Sequence, residues 1–97
     1  MNHEIHIFLG SACITKESIQ NYPVGERHAF LFFMRVDADS EYNVAKAKKI
    51  VRDLGLNKIE FTKVGRLDPD RVTDRNQELY SSAMDSGSAI VLYSDPI

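Results

Sequence analysis

The feature that most constrains this chain is the segment over residues 29–36, whose letters AFLFFMRV are almost continuously apolar. Successive side chains of a β-strand point to opposite faces of a sheet, so a run without alternation is typical of a strand that is buried on both faces. We therefore expect a central strand here, in a sheet that carries helices on one side.

Periodic apolar patterns predict the other regular elements. Alternation with a period of two indicates strands over residues 4–14 and 58–64, and the continuous apolar run over residues 89–93 indicates a last strand that is apolar on both faces. Helical spacing of apolar residues indicates one helix over about 40–54 and a second that runs from Asp74 to Gly87. The composition of the segment 15–27 predicts a long polar connection with one helical turn near 16–20. The segment 65–71 is predicted to be an exposed, turn-rich loop.

Short-range signals predict where the helices begin and end. Asp37 and Asp39 can accept backbone N–H bonds at the start of the first helix, and Gly55 stands where a left-handed residue ends it. Asp74 and Gln77 have the spacing of a capping box for the second helix.

These elements predict one α+β domain over residues 1–97, with the order β-β-α-β-α-β. Right-handed crossovers through the helices would place both helices on one face of the sheet. The expected architecture is therefore a two-layer sandwich, with a four-stranded mixed sheet and two helices on one face.

Composition argues against several classes of function. Twelve Lys and Arg stand against fourteen Asp and Glu, for a formal net charge of -2, so the chain lacks the strong positive field of a general nucleic-acid binder. No apolar run approaches the ~20 residues that a membrane-spanning helix needs, and the first residues do not resemble a secretory signal. With Cys13 as the only cysteine, a reducing, cytoplasmic location is expected.

Residue types able to perform catalysis are present without a recognisable arrangement. No motif places a histidine or an acid beside Cys13, so a buried hydrophobic role is the stronger interpretation. His3 and His6 have opposite parity in a predicted strand, so they cannot both coordinate one metal ion. We expect these two and His28 to be solvent-facing or edge histidines. The aspartates around residue 70 lack the glycine of a calcium loop. We assign no catalytic residue, metal ligand or cofactor.

The remaining possibility that the sequence favours is recognition of another protein. Charged side chains are dense in the predicted loop after residue 65 and around residue 26, and such groups give an interface specificity and a fast association rate. The predicted partner-binding residues are Asp68, Asp70, Arg71, Asp74, Glu78, Glu26 and Arg27.

Two long segments carry a resemblance to a known group of proteins. The layout RVDADSEYNVAKAKKIVRDLGLNKIEF, followed by AMDSGSAIVLYSDP, resembles small bacterial immunity proteins that neutralise a cognate toxin, including those of contact-dependent inhibition systems. The resemblance covers about the last two-thirds of the chain and consists of an element rhythm, without a shared binding motif. It implies no enzyme activity and a tight cytoplasmic complex that occludes the toxin's site.

Two other functions stay open at this point. Sheet-and-helix sandwiches of this size also serve as regulatory domains that bind small molecules. An acylphosphatase-like hydrolase would use Arg27, Arg35 and Asn43 to hold a phosphoryl oxyanion, although these residues lie outside any phosphate-binding motif. The basic run of the first helix, from Lys46 to Arg52, is suited to contact an acidic partner or a phosphate. A solvated helix face explains the same run equally well.

Overall fold

The computed structural model describes residues 2–18 and 22–97 of the chain. Within these residues the elements follow one another in the predicted order β-β-α-β-α-β, which confirms the α+β class. They are β1 (His3–Ile14), β2 (Arg27–Asp37), α1 (Val44–Asp53), β3 (Leu56–Leu67), a 3₁₀ helix (Pro69–Arg71), α2 (Asp74–Ser86) and β4 (Ser88–Pro96).

The strands form one sheet in the order β3-β1-β2-β4, and every neighbouring pair is antiparallel. The prediction of a mixed sheet was therefore wrong. β2 and β3 do run in the same direction, as a crossover through α1 requires, but β1 lies between them. No two parallel strands are neighbours among the described residues, and so each hydrogen-bonded ladder is antiparallel.

The two helices pack on opposite faces of the sheet, which corrects the prediction of two helices on one face. On one face α1 buries Ala47 and Val51 against even-numbered residues of β1 and β2, among them Phe8 and Phe32. On the other face α2 buries Ala83 in a second cluster. That cluster takes its strand residues from the odd-numbered positions: Ile5, Ile7, Leu31 and Phe33. The molecule thus has three layers, with the sheet in the middle.

The start of α1 differs from the prediction. The helix begins at Val44, and its N-cap is Asn43, whose Oδ1 accepts a hydrogen bond from the Lys46 N–H at 3.0 Å. Asp37 and Asp39 lie too early in the chain to cap it. Asp39 instead adopts a positive φ of 66° in the turn that follows β2.

The end of α1 agrees with the prediction. Gly55 has a φ of 88°, and its N–H donates to the carbonyl of Arg52 at 3.0 Å. A Cβ at this position would lie 2.2 Å from the carbonyl oxygen of Glu17, so the close approach of the 15–18 segment also requires glycine. Residues 19 and 20 of the predicted helical turn, together with Asn21, lie outside the described residues.

α2 begins one residue away from the predicted cap. Thr73 is the N-cap, in an extended conformation, and Asp74 is the first helical residue. A carboxylate in the first turn still interacts favourably with the positive end of the helix dipole. Gly87 ends the helix with a φ of 100°, as the sequence predicts.

Candidate protein interface

The larger group of predicted partner-binding residues lies on the 3₁₀ helix and on α2. All five members of this group are exposed: Asp68, Asp70, Arg71, Asp74 and Glu78. Asp68 accepts a hydrogen bond from the Asp70 N–H at 3.0 Å and pairs with Arg71 at 3.7 Å. The Arg71 side chain is 85% exposed, and an ion pair in such a position contributes little to folding. Most of this charge is therefore open to a partner.

The exposed side of α2 adds one acid that sequence reasoning missed. Asp74, Glu78 and Asp85 follow one another at spacings of four and seven, so they line a single stripe of the helix, about 16 Å long. This stripe points away from the packed residues Leu79 and Ala83. The same spacing is visible in the sequence, where the three acids lie opposite the apolar residues that predict the helix. We call Asp68, Asp70, Asp74, Glu78 and Asp85 the acidic surface.

The face of the molecule that carries α1, opposite to α2, is positively charged. The exposed side of α1 presents four cations and one acid: Lys46, Lys48, Lys49, Arg52 and Asp53. Because α1 and α2 lie on opposite sides of the sheet, the acidic surface and this basic helix are separated by the whole thickness of the molecule. A chain with a small net charge therefore has one negative and one positive face.

The second predicted group, Glu26 and Arg27, lies at the other end of the sheet. Arg27 pairs with Cys13, whereas Asp68 follows the residue that pairs with Ile5, which places the two groups about 26 Å apart along β1. Both side chains also make internal contacts. Arg27 donates from Nε to Ser11 Oγ at 2.8 Å and pairs with Glu60 at 3.2 Å.

Glu26 contacts a buried histidine. Its Oε1 lies 3.1 Å from Nε2 of His28, which is completely buried. The Nδ1–H of His28 donates to the Tyr93 carbonyl at 2.7 Å, and the ring of Tyr22 stacks on the imidazole with centroids 4.4 Å apart. Glu26 is thus an internal partner of His28, and His28 joins β2 to the end of β4.

A polar cluster that sequence reasoning missed is centred on Glu4, whose side chain is only 13% exposed. The carboxylate pairs with the Arg66 guanidinium, accepts the backbone N–H of Asp39, and lies 3.3 Å from Nε2 of His6. His6 is fully buried beneath the ring of Tyr42, with centroids 4.6 Å apart. The expectation of solvent-facing or edge histidines was therefore wrong for both His6 and His28.

A cavity of about 390 Å³ opens beside this cluster and is lined by Glu4, Arg66, Leu67 and Asp68. Asp68 belongs to the acidic surface, so the buried cluster and the acidic surface meet at this cavity. The 3.3 Å approach of Glu4 to Nε2 of His6 does not have the geometry of a hydrogen bond, and neither ring nitrogen of His6 has a hydrogen-bond partner within the described part of the chain. The cluster connects β1, β3 and the turn before α1, and it holds in place the end of β3 from which the acidic surface begins.

The other titratable groups do not converge on one centre. Cys13 and His28 have opposite parity across the β1–β2 ladder, so they point to opposite faces of the sheet. The sulfur of Cys13 instead lies 3.6 Å from Nη1 of Arg27. Over residues 2–18 and 22–97, no group of three His, Cys, Asp or Glu side chains has the arrangement of a metal site.

Two further results bear on the class of protein. None of the helices in the described ranges is both long and apolar enough to cross a membrane. Comparison with protein-family models, curated proteins and solved structures found no match to this chain. The resemblance to immunity proteins therefore rests on the sequence features given above.

Proposed function

We propose that this protein acts by binding another protein, and that it is a toxin-neutralising immunity protein whose acidic surface covers a basic site on its toxin. The observation that carries the proposal is the exposed stripe of Asp74, Glu78 and Asp85 on α2, which continues from Asp68 and Asp70. Among the described side chains, the Asp68–Arg71 pair is the one ion pair that involves the acidic surface.

The energetics fit recognition by charge. Exposed carboxylates that make no strong internal contact contribute little to folding, but together they set the field that a partner meets. Complementary fields raise association rates by roughly 10- to 1,000-fold at low salt and suppress wrong partners. A basic cleft on a toxin is the kind of surface that this stripe complements.

Co-expression with a toxin tests the biological role. The candidate toxin is the domain encoded immediately beside the gene for this chain, and expression of the chain should restore growth to cells that make the toxin. Failure to restore growth, or a neighbouring gene that encodes no toxin domain, would contradict the immunity role.

A charge-neutralising variant tests the surface. The triple substitution Asp74→Asn, Glu78→Gln and Asp85→Asn should slow association with the captured toxin by about tenfold or more at low salt, and the difference should shrink as salt screens the charges. The matched control removes three charges from α1: Lys46→Gln, Lys48→Gln and Lys49→Gln. Stopped-flow or surface-plasmon-resonance measurements that show the same rate for both triple variants would exclude the acidic surface as the interface.

A further inference from the structure

The two edges of the sheet differ in how well they are protected. β3 and β4 are the edge strands, and among the described residues no other strand pairs with the outer side of either one. β3 carries four exposed charged residues, Lys58, Glu60, Lys63 and Arg66, and its ladder with β1 has two register shifts. Charges and irregularities of this kind discourage a second strand from pairing with an edge.

β4 has no such protection over most of its length. The segment 88–94 reads SAIVLYS and contains no charged residue. Its pairing with β2 is regular from Ser88 to Leu92, and the one register shift of that ladder comes later. An uncharged edge of this kind is a template for pairing with another strand.

Two apolar side chains on β4 are also unusually exposed. Val91 is 39% exposed and Tyr93 is 46% exposed. Val91 pairs with Leu31 and therefore points to the face that carries α2. α2 leads directly into the start of β4 and covers Ala89, but it leaves the later part of the strand open. Val91 continues a row of apolar residues that includes Leu31 of β2 and Leu9 of β1.

We propose that β4 pairs antiparallel with β4 of a second copy, in a two-fold dimer centred on Val91. In this register Val91 faces Val91 of the second copy, Ala89 faces Tyr93, and Ile90 faces Leu92. Each pair joins two apolar residues, and Asp95 falls outside the uncharged stretch, opposite Gly87. An isologous contact of this kind closes after two copies.

The two-fold relation also explains the open apolar residues. Because the partner strand runs in the opposite direction, the α2 helix of the second copy lies beside the far end of β4, where Tyr93 is exposed. Both α2 helices then lie on the same face of a continuous eight-stranded sheet, four strands from each copy. The pairing of one short strand buries a small interface, so we expect a dissociation constant in the micromolar range.

Introducing a charge at the two-fold centre tests the dimer. Wild-type chain should be dimeric by sedimentation equilibrium at about 100 μM, whereas Val91→Lys and Val91→Glu should each raise the dissociation constant at least tenfold, because like charges then face each other. An equimolar mixture of the two variants should dimerise again, because Lys then faces Glu. Lys63→Glu on the β3 edge is the matched control and should leave the dimer unchanged.

Disulfide cross-linking tests the register in which the two β4 strands pair. In a Cys13→Ser background, Val91→Cys should give a disulfide-linked dimer on mild oxidation, and Lys63→Cys should not, because facing residues of an antiparallel pair lie within disulfide range. A monomeric wild type at 100 μM, mixed charge variants that stay monomeric while circular dichroism shows them folded, or equal cross-linking at both positions would each overturn the proposal.

Discussion

The side chain of Glu4 has more partners than any other carboxylate described in this structure. It connects Arg66 of β3, the backbone of Asp39 and the buried ring of His6. A carboxylate removed from water needs such partners, since an unpaired buried charge is strongly destabilising. Sequence reasoning gave Glu4 no role, because its partners are distant in the chain and only the β1–β3 ladder brings Arg66 opposite His6.

Substitution of Glu4 should therefore cost far more than substitution of an exposed carboxylate. Glu4→Gln keeps the shape but removes the charge that Arg66 and His6 face, and we expect a loss of about 2–4 kcal/mol in the free energy of unfolding. Glu60→Gln is the control, because Glu60 also pairs with an arginine but is 75% exposed. Its loss should stay below about 1 kcal/mol. Equal losses in urea denaturation would show that burial of Glu4 does not matter.

Two glycines with similar positive φ values allow the cost of backbone strain to be distinguished from the cost of a steric clash. Gly55 and Gly25 have φ values of 88° and 92°, but only at Gly55 would a Cβ meet other atoms, 2.2 Å from the Glu17 carbonyl oxygen. Gly25→Ala should lower the free energy of unfolding by about 1–2 kcal/mol through backbone strain alone. Gly55→Ala should lose on the order of 3 kcal/mol or more, because the clash adds to the strain. Similar losses for the two variants in chemical denaturation would contradict the close approach.

At the scale of elements, periodicity predicted the type of each helix and strand better than its ends. The apolar pattern in β3 stops at Val64, yet the strand continues to Leu67 because Gly65 and Arg66 still pair with β1. Backbone hydrogen bonds extend a strand regardless of which side chains are apolar. The part of the predicted loop over residues 65–67 is therefore strand, and the exposed turn begins at Asp68.

The end of α2 shows one element stabilising another. α2 has no basic residue in its last turn, but Arg35 of β2 donates from Nη1 to the Met84 carbonyl at 2.5 Å. The backbone N–H of Arg35 also donates to the Gly87 carbonyl at 2.8 Å. A cation here stabilises the negative end of the helix dipole.

Removal of this cation should loosen the end of α2 before it unfolds the domain. Arg35→Met keeps the apolar stem, and we expect amide hydrogen exchange over residues 83–87 to become about tenfold faster, which corresponds to a loss of about 1.4 kcal/mol. Arg71→Met is the control, because that side chain is 85% exposed. Unchanged exchange at the end of α2, measured by mass spectrometry, would show that the contact does not stabilise the helix.

At the scale of the whole molecule, the placement of the helices on opposite faces decides the surface. It separates the cations of α1 from the acids of α2, and it leaves part of the α2 face open beside β4. The apolar run in β2 already indicated that helices pack on both faces of the sheet. Its odd-numbered and even-numbered residues are both apolar, and each set has to be buried by other residues. The prediction put both helices on one face because it relied on crossover handedness, which does not determine the path from β3 to β4 across an antiparallel sheet.

Features that depend on residues close together in the chain could be predicted from the amino-acid sequence. Alternation, helical spacing and the positions of glycines predicted the order of the elements and the end of each helix. These signals are effects of neighbouring residues on local backbone conformation. The order of the strands in the sheet, the face that each helix covers, and the meeting of Glu4, His6 and Arg66 became visible in the three-dimensional structure. Those facts depend on contacts between residues far apart in the chain, where the free energy of burying a whole face outweighs any local preference.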